Sequence, residues 1–294
     1  MRRRPWLLLT PSFIVLGTLL LWPMIRVVVL SFQDFGLREL VRGEAEFVGF
    51  ENFTSVLTDR LLWQVALPNT VLFAAVCVVL TVGLGTLVAL LLNQMTGFWR
   101  TTLLTAIMAA WAIPAVTGTY VWIYLFDARS GFLTQVLETI GLVDTATTNL
   151  FTERVWFFAI AALNVVHHGF PFVAVTVLAG LMTIPRELME AAELDGAGPV
   201  KRFRFITVPL LKPVFAVVTI LSTIWDFKVF TQIYLMPGGD GANREVLNLG
   251  TWSYVSAMGQ NLYGLGAAIA VLLTLLLLGV TLVYLRTLFK EEEL

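Results

Sequence analysis

Residues 190–209 read EAAELDGAGPVKRFRFITVP, a charged segment between two long apolar stretches. The pattern within it is Glu190, Ala191 and Ala192, then Gly196, then Ile206 and Pro209. Membrane proteins rarely place so many charges and glycines in a loop that joins two apolar helices. The segment therefore predicts a specialised loop of a membrane protein, and its flanks decide the fold class.

The composition of the chain is that of a membrane protein. Of 294 residues, 58% are hydrophobic and 13% are charged, whereas a soluble domain carries about 25% charged residues. A membrane span needs about 20 apolar residues, and six stretches meet that length: residues 6–30, 67–92, 103–126, 155–181, 213–234 and 265–285. We predict an all-α membrane protein with six transmembrane helices in one domain over residues 1–294, and a loop at residues 182–209 between spans four and five.

The distribution of Lys and Arg predicts the orientation in the membrane, because cytoplasmic loops retain basic residues. With the N-terminus inside, eleven Lys and Arg residues, including Arg2, Arg3 and Arg4, fall on the cytoplasmic side and six on the outer side. Both termini and the 182–209 loop are thus predicted to be cytoplasmic. The first apolar run exceeds the roughly 7 to 15 residues of a signal-peptide core and lacks a cleavage site, so we expect it to be retained as a span.

The 182–209 loop predicts two short helices at an angle. Thr183 is a candidate N-cap for a helix over Arg186–Leu194, with Pro185 in its first turn. Asp195 and Gly196 should end that helix, and Pro199 should begin the next. The residues expected to hold this second helix against the membrane domain are Phe203, Ile206 and Pro209.

The alternative for this loop is an amphipathic helix on the bilayer surface. Such helices usually carry basic residues on the polar face. Here the polar residues are acidic, namely Glu187, Glu190, Glu193 and Asp195. A docking surface for another protein is therefore the favoured interpretation.

The spacing from Glu190 to Pro209 closely resembles the EAA loop of ABC importer permeases. In that family, the loop is the part of the membrane subunit that the ATP-hydrolysing subunit binds. Over nearly the whole chain, the sequence resembles the maltose-type branch that takes up carbohydrates and glycerol-phosphate compounds. Two positions depart from the family pattern, Val208 and Asp240. The residues that carry the wider resemblance are Pro11, Pro23, Asn69, Thr70, Pro114, Trp122, Phe126, Gly180, Leu181, Ile184, Pro185, Trp225, Phe227, Phe230, Ile233, Gly238, Gly239, Gly266, Ala267 and Ala268.

The resemblance implies a set of partners and a cellular location. It implies a second, nonidentical permease subunit, two ATP-binding cassette subunits and an extracytoplasmic solute-binding protein in a bacterial or archaeal plasma membrane. The solute would be a sugar or a related polyol. The residues implied in coupling to the ATPase are Glu190, Ala191, Ala192, Asp195, Gly196, Ile206 and Pro209.

The sequence lacks the motifs of several other functions. There is no G-x-x-x-x-G-K-[ST] phosphate loop, so we expect ATP and Mg to bind the partner ATPase and this chain to be neither an enzyme nor a cofactor carrier. The two histidines, His167 and His168, are adjacent in one span, and Cys77 is the single cysteine, which gives no metal set. A net charge of −1 gives no reason to expect nucleic acid as a partner.

Polar residues at membrane depth are the candidates for the solute path, because burying them without a partner is costly. In the fourth span these are Asn164 and His168, close to Pro171, which removes a backbone hydrogen bond and predicts a broken segment.

In the fifth span, Trp225, Lys228, Thr231 and Gln232 recur at helical spacing, which predicts one face with an aromatic surface and hydrogen-bonding groups. Alternatives remain open. Asp226 and Lys228 could pair with neighbouring helices, Lys228 could extend to the interface, and the histidines could stabilise the proline site.

A stand-alone secondary transporter or channel is the alternative function, although six spans with one docking loop favour the importer.

Overall fold

The computed structural model describes residues 4–144 and 147–292, so Arg2 and Arg3 of the charge count lie outside the described residues. The helices in chain order are α1 (Arg4–Leu16), α2 (Trp22–Leu30), α3 (Leu37–Arg42), α4 (Glu51–Thr58), α5 (Leu67–Gln94), α6 (Gly97–Trp111), α7 (Ala115–Leu125), α8 (Phe132–Thr139), α9 (Arg154–Leu181), α10 (Arg186–Leu194), α11 (Pro199–Arg202), α12 (Val208–Leu210), α13 (Lys212–Phe227), α14 (Thr231–Leu235), α15 (Leu249–Tyr254) and α16 (Tyr263–Glu292). Short π-helical segments cover Gly17–Leu21, Leu62–Ala66, Phe203–Thr207 and Val255–Gly259, and a 3₁₀ turn covers Arg244–Val246. Strands β1 (Gln33–Asp34) and β2 (Glu46–Phe47) pair antiparallel.

Five helical stretches among the described residues are long and apolar enough to cross a bilayer. They are Leu8–Leu30, Leu62–Gln94, Arg154–Leu181, Lys212–Leu235 and Tyr263–Arg286. Each overlaps one of the predicted spans, because about 20 apolar residues in a row are a strong signal for a membrane helix.

The third predicted span, residues 103–126, is not one continuous helix. α6 and α7 are bent by 93° at a short break. Pro114 has no N–H to continue the α6 hydrogen bonds and disfavours helical backbone at Ile113 before it. Pro114 itself takes φ −57 and ψ 136, which is not helical.

The fifth predicted span is also interrupted. α13 ends at Phe227 and α14 begins at Thr231. Lys228 takes φ −98 and ψ 11, and its N–H bonds to the Trp225 carbonyl three residues earlier at 3.1 Å, which tightens and ends the helix. The prediction of one helical face from Trp225 to Gln232 is therefore wrong. The predicted break at Pro171 is wrong as well, because α9 is helical throughout Arg154–Leu181.

The chain divides into two compact units. The first comprises Met1–Leu67 and Asp240–Gly279. Its core brings α15 and the start of α16 against the segment that leads into α5, with Trp252 and Ile269 buried among leucines. Asn248 caps α15 by accepting a hydrogen bond from the Thr251 N–H at 2.8 Å.

The second unit comprises Pro68–Gly239 and Val280–Leu294. Its core is formed by α5, α6, α9 and α13. α5 and α9 approach closely at two glycines. A Cβ atom on Gly85 would lie 2.5 Å from the Val173 Cβ, and one on Gly169 would lie 2.9 Å from the Thr81 Cγ2. Small residues at such contacts let membrane helices pack backbone to backbone.

Candidate coupling helix and solute path

The helix α10 has the predicted bounds, Arg186–Leu194. Its N-terminal cap differs from the prediction. Pro185 occupies the cap position without a side-chain hydrogen bond, and the Thr183 hydroxyl donates to the Gly180 carbonyl at 2.7 Å. Both the hydroxyl and the N–H of Thr183 thus bond to the Gly180 carbonyl at the end of α9, and Thr183 does not cap α10.

The end of α10 is built around Gly196. This residue has φ +75, and the Ala197 N–H bonds to the Ala192 carbonyl at 2.9 Å while the Gly196 N–H bonds to the Glu193 carbonyl at 3.0 Å. These two bonds form a Schellman motif, which requires a left-handed residue at this position. The predicted helix end at Asp195 and Gly196 is confirmed.

The second helix of the loop begins at Pro199 as predicted and continues through the π-helical segment Phe203–Thr207 into α12. Phe203 and Ile206 are half-buried, but Pro209 is exposed, and Thr207 is the buried residue. A π turn holds an extra residue and rotates the following side chains relative to an α-helical register. The expectation that Pro209 packs inward is therefore wrong for this chain.

The side chains of α10 are presented outward. Glu190, Ala191 and Asp195 are exposed, and Ala192 is half-buried. The Arg202 side chain forms an ion pair with Glu193, which links α11 to α10.

Three large apolar side chains of α10 and α11 are exposed and were not among the predicted coupling residues. Leu188 is 45% exposed, Leu194 90% and Val200 78%. Contiguous exposed apolar patches mark surfaces that bind another protein, and these three residues join the candidates on the strength of their exposure. In the sequence, these leucine and valine residues stand out because most of their neighbours in the loop are polar.

The structure brings two candidate path residues together. Asn164 of α9 and Gln232 of α14 are both buried, and the Gln232 Nε2 donates to the Asn164 Oδ1 at 2.8 Å. Each amide is thus a partner for the other in an apolar interior, where an unpaired amide is costly. The break after Phe227 positions Gln232 for this contact.

The other candidates of the fifth span are spread apart. Trp225 is 42% exposed and packs edge-on against Phe172 of α9, with ring centroids 5.0 Å apart. Lys228 is exposed and Thr231 is half-buried. Asp226, which was not among the candidates, is buried, and its Oδ2 atom has no hydrogen-bond partner among the described residues.

A small cavity of about 100 Å³ lies at the bend between α6 and α7. Polar and aromatic side chains reach it from α7 and α9, namely Trp122, Asn164, His167 and His168. The Trp122 ring lies 5.9 Å from the His167 ring and 5.8 Å from Phe126, measured between centroids. Sequence periodicity did not indicate that Trp122 and Asn164 line the same cavity, because this arrangement depends on the bend. No group of three or more His, Cys, Asp or Glu residues in the described part of the chain is arranged to hold a metal ion.

Comparisons with known proteins identify the family. The model of the binding-protein-dependent transport system inner membrane component matches residues 81–291. The diacetylchitobiose uptake system permease protein DasB of Streptomyces coelicolor is 39% identical over 289 residues, covering 98% of this chain and 88% of DasB. The trehalose/maltose transport system permease protein MalF of Thermococcus litoralis is 37% identical over 245 residues, covering 83% of this chain and 80% of MalF.

The fold is similar to that of a solved transporter. A chain in the crystal structure of a bacterial ABC transporter involved in the import of the acidic polysaccharide alginate superposes with a TM-score of 0.81 at 20% identity, covering 97% of this chain and 96% of that chain. At this identity the likeness establishes the fold alone. The matches in sequence decide the family, and the fold agrees with them. The chain belongs to the family of binding-protein-dependent transport system inner membrane components.

Proposed function

We propose that this chain is one of two nonidentical permease subunits of an ATP-driven importer for a di- or oligosaccharide or a related polyol or glycerol-phosphate compound. The observation that carries the proposal is the near full-length similarity to uptake permeases for diacetylchitobiose and for trehalose/maltose. The importer would reside in a bacterial or archaeal plasma membrane. An external binding protein would deliver the solute.

Energy in this proposal comes from two partner subunits that bind ATP and Mg. The chain lacks a phosphate loop, and α10 offers an exposed surface suited to a docking partner. ATP binding at those subunits would move α10 and close the inner side of the path. The proposed contact residues are Glu190, Ala191, Ala192, Asp195, Gly196, Ile206 and Pro209, with Leu188, Leu194 and Val200 added from their exposure.

The proposed orientation places both termini and α10 in the cytoplasm, because of the excess of Lys and Arg on that side. Single cysteines at Glu46 and Glu190 test it in a variant in which the buried Cys77 is replaced by Ala. An impermeant thiol reagent added to intact cells should label the cysteine at position 46 and not that at position 190. The reverse labelling pattern would show that the orientation is inverted.

The proposed solute path runs past Trp225, Lys228, Thr231, Gln232, Asn164 and His168. The exposed Trp225 ring offers a flat apolar surface to a sugar ring. The Asp226 Oδ2, which has no hydrogen-bond partner within the described part of the chain, can accept a hydrogen bond from a hydroxyl. The cavity beside Asn164 holds about 100 Å³, below the roughly 300 Å³ of the smallest common ligand pockets. Passage of a sugar through this cavity would require its walls, which include α7, to move.

Replacing Trp225 by Ala is expected to lower uptake per assembled complex several-fold, because a stacking contact of about 1 kcal/mol is lost. The amount of ATPase subunit that co-purifies with the chain should be unchanged, since Trp225 is partly exposed. Replacing Gln232 by Ala should lower both quantities, because it leaves the Asn164 amide buried without its partner. The measurements are uptake in cells and subunit stoichiometry after purification.

A packing role for Trp225 predicts the opposite result: poor assembly with normal uptake per complex. That result would remove Trp225 from the path. Failure of wild-type chain to retain any ATPase subunit would favour a stand-alone transporter instead.

A further inference from the structure

A groove of about 490 Å³ runs between the first half of α5 and the first half of α9, and none of the candidate path residues lines it. Apolar side chains form its walls, and its volume is in the range of small-molecule sites. The α5 side chains on its surface are strongly exposed, with Leu72 at 64% and Val76 at 50%. The apolar walls include Leu72, Val76, Leu80, Phe158, Ala159 and Leu163.

Two polar side chains mark one end of the groove. The Arg154 Nη2 donates to the Oδ1 of Asn69 at 2.7 Å, which fixes the guanidinium at the mouth of the groove. Among the described residues, no carboxylate forms an ion pair with Arg154. A guanidinium has five N–H donors in a fork that matches phosphate geometry, so most of its donors remain for a ligand.

The position of Arg154 suits the bilayer interface. α9 has 28 residues, which at 1.5 Å per residue is about 42 Å, whereas the hydrocarbon core is about 30 Å thick. A centred helix of this length extends about 6 Å beyond the hydrocarbon at each end, which places Arg154, the first residue of α9, at the depth of lipid headgroups. The groove walls one to two turns further along lie at the depth of acyl chains.

We propose that this groove binds one anionic phospholipid, with its phosphate on Arg154 and an acyl chain along Leu72, Val76 and Leu80. The site matches such a lipid in both charge and polarity. The Arg154 guanidinium lies at headgroup depth, and the apolar walls of the groove lie at acyl-chain depth. The lining of the groove includes no candidate path residue and no residue of α10.

The test uses the purified importer complex, equilibrated with equal amounts of phosphatidylglycerol and phosphatidylcholine of identical acyl chains and analysed by native mass spectrometry. The wild-type complex should retain phosphatidylglycerol over phosphatidylcholine by about tenfold, as expected for a charge-assisted contact. Arg154→Gln should reduce this ratio to about one, whereas Arg154→Lys should keep most of it. Arg129→Gln is the matched control, because Arg129 is exposed and outside the groove.

A second variant tests the apolar part of the site. Ala159→Trp fills the groove without changing charge, so it should lower retention of both lipids while the complex stays intact. Inorganic phosphate should leave the wild-type ratio unchanged, since it cannot occupy the apolar channel. A ratio near one for the wild type, an unchanged ratio in Arg154→Gln, or competition by inorganic phosphate would overturn the proposal. Lipid retention only by chain purified without its partner permease would also overturn it and would identify the groove as a subunit interface.

Discussion

Replacing Gly196 by Val is expected to reduce solute uptake about tenfold or more while leaving the amount of membrane complex unchanged. Gly196 has φ +75, a backbone conformation that costs a β-branched residue roughly 1 to 3 kcal/mol. No neighbouring atom lies within 4 Å of a Cβ built at this position. The strain is therefore relieved by changing the backbone, which breaks the Schellman motif and re-aims α10 and Leu194. Uptake of labelled solute by cells, normalised to complex in the membrane, measures the effect.

Gly198 is the matched control for this substitution. It lies two residues further along the same loop, with φ −66, and a Cβ there also meets no atom within 4 Å. Gly198→Val should retain near-normal uptake, because valine adopts this backbone without strain. Equal loss of uptake in both variants would show that the added side-chain volume causes the loss, and not the left-handed conformation of Gly196.

Replacing Gly85 by Val is expected to prevent stable assembly of the second unit. A Cβ at this position would lie 2.5 Å from the Val173 Cβ and 3.0 Å from the Phe170 carbonyl oxygen. Relieving these contacts requires α5 and α9 to separate, and overpacking of this kind costs about 1 to 3 kcal/mol or more. Thermal unfolding of the detergent-solubilised complex and its yield are the measurements.

Gly83 provides the comparison, because it lies in the same helix and a Cβ there meets no atom within 4 Å. Gly83→Val changes helix propensity by the same amount as Gly85→Val. The expected result is a near-normal yield and unfolding temperature for Gly83→Val and a strong loss of both for Gly85→Val. Similar values for the two variants would contradict the close contact between α5 and α9.

The parts of the fold that could be predicted from sequence rest on local signals. The helix Arg186–Leu194 and its end at Gly196 follow from proline and glycine placed at its boundaries, whose preferences are set by the backbone. The membrane helices follow from runs of apolar residues, and the family resemblance is confirmed by the comparisons.

The parts that could not be predicted depend on tertiary contacts or on local departures of the backbone from a regular α-helix. The hydropathy of the third predicted span does not indicate the 93° bend at Pro114. The proline itself is a local signal for a break in the helix. The break at Lys228 separates side chains that a continuous helix would align. The Asn164–Gln232 hydrogen bond joins residues 68 positions apart, a pairing that no periodicity specifies.

The coupling roles of Glu190 and Gly196 remain the central proposal, and ATP hydrolysis by the purified complex in liposomes tests it most directly. The measurement compares hydrolysis with and without solute-loaded binding protein for the wild type, Glu190→Lys, Gly196→Val and Gly198→Val. We expect stimulation by the loaded binding protein in the wild type and in Gly198→Val, and its loss in Glu190→Lys and Gly196→Val. Full stimulation in both Glu190→Lys and Gly196→Val would contradict the assignment of α10 as the element that couples this permease to ATP hydrolysis.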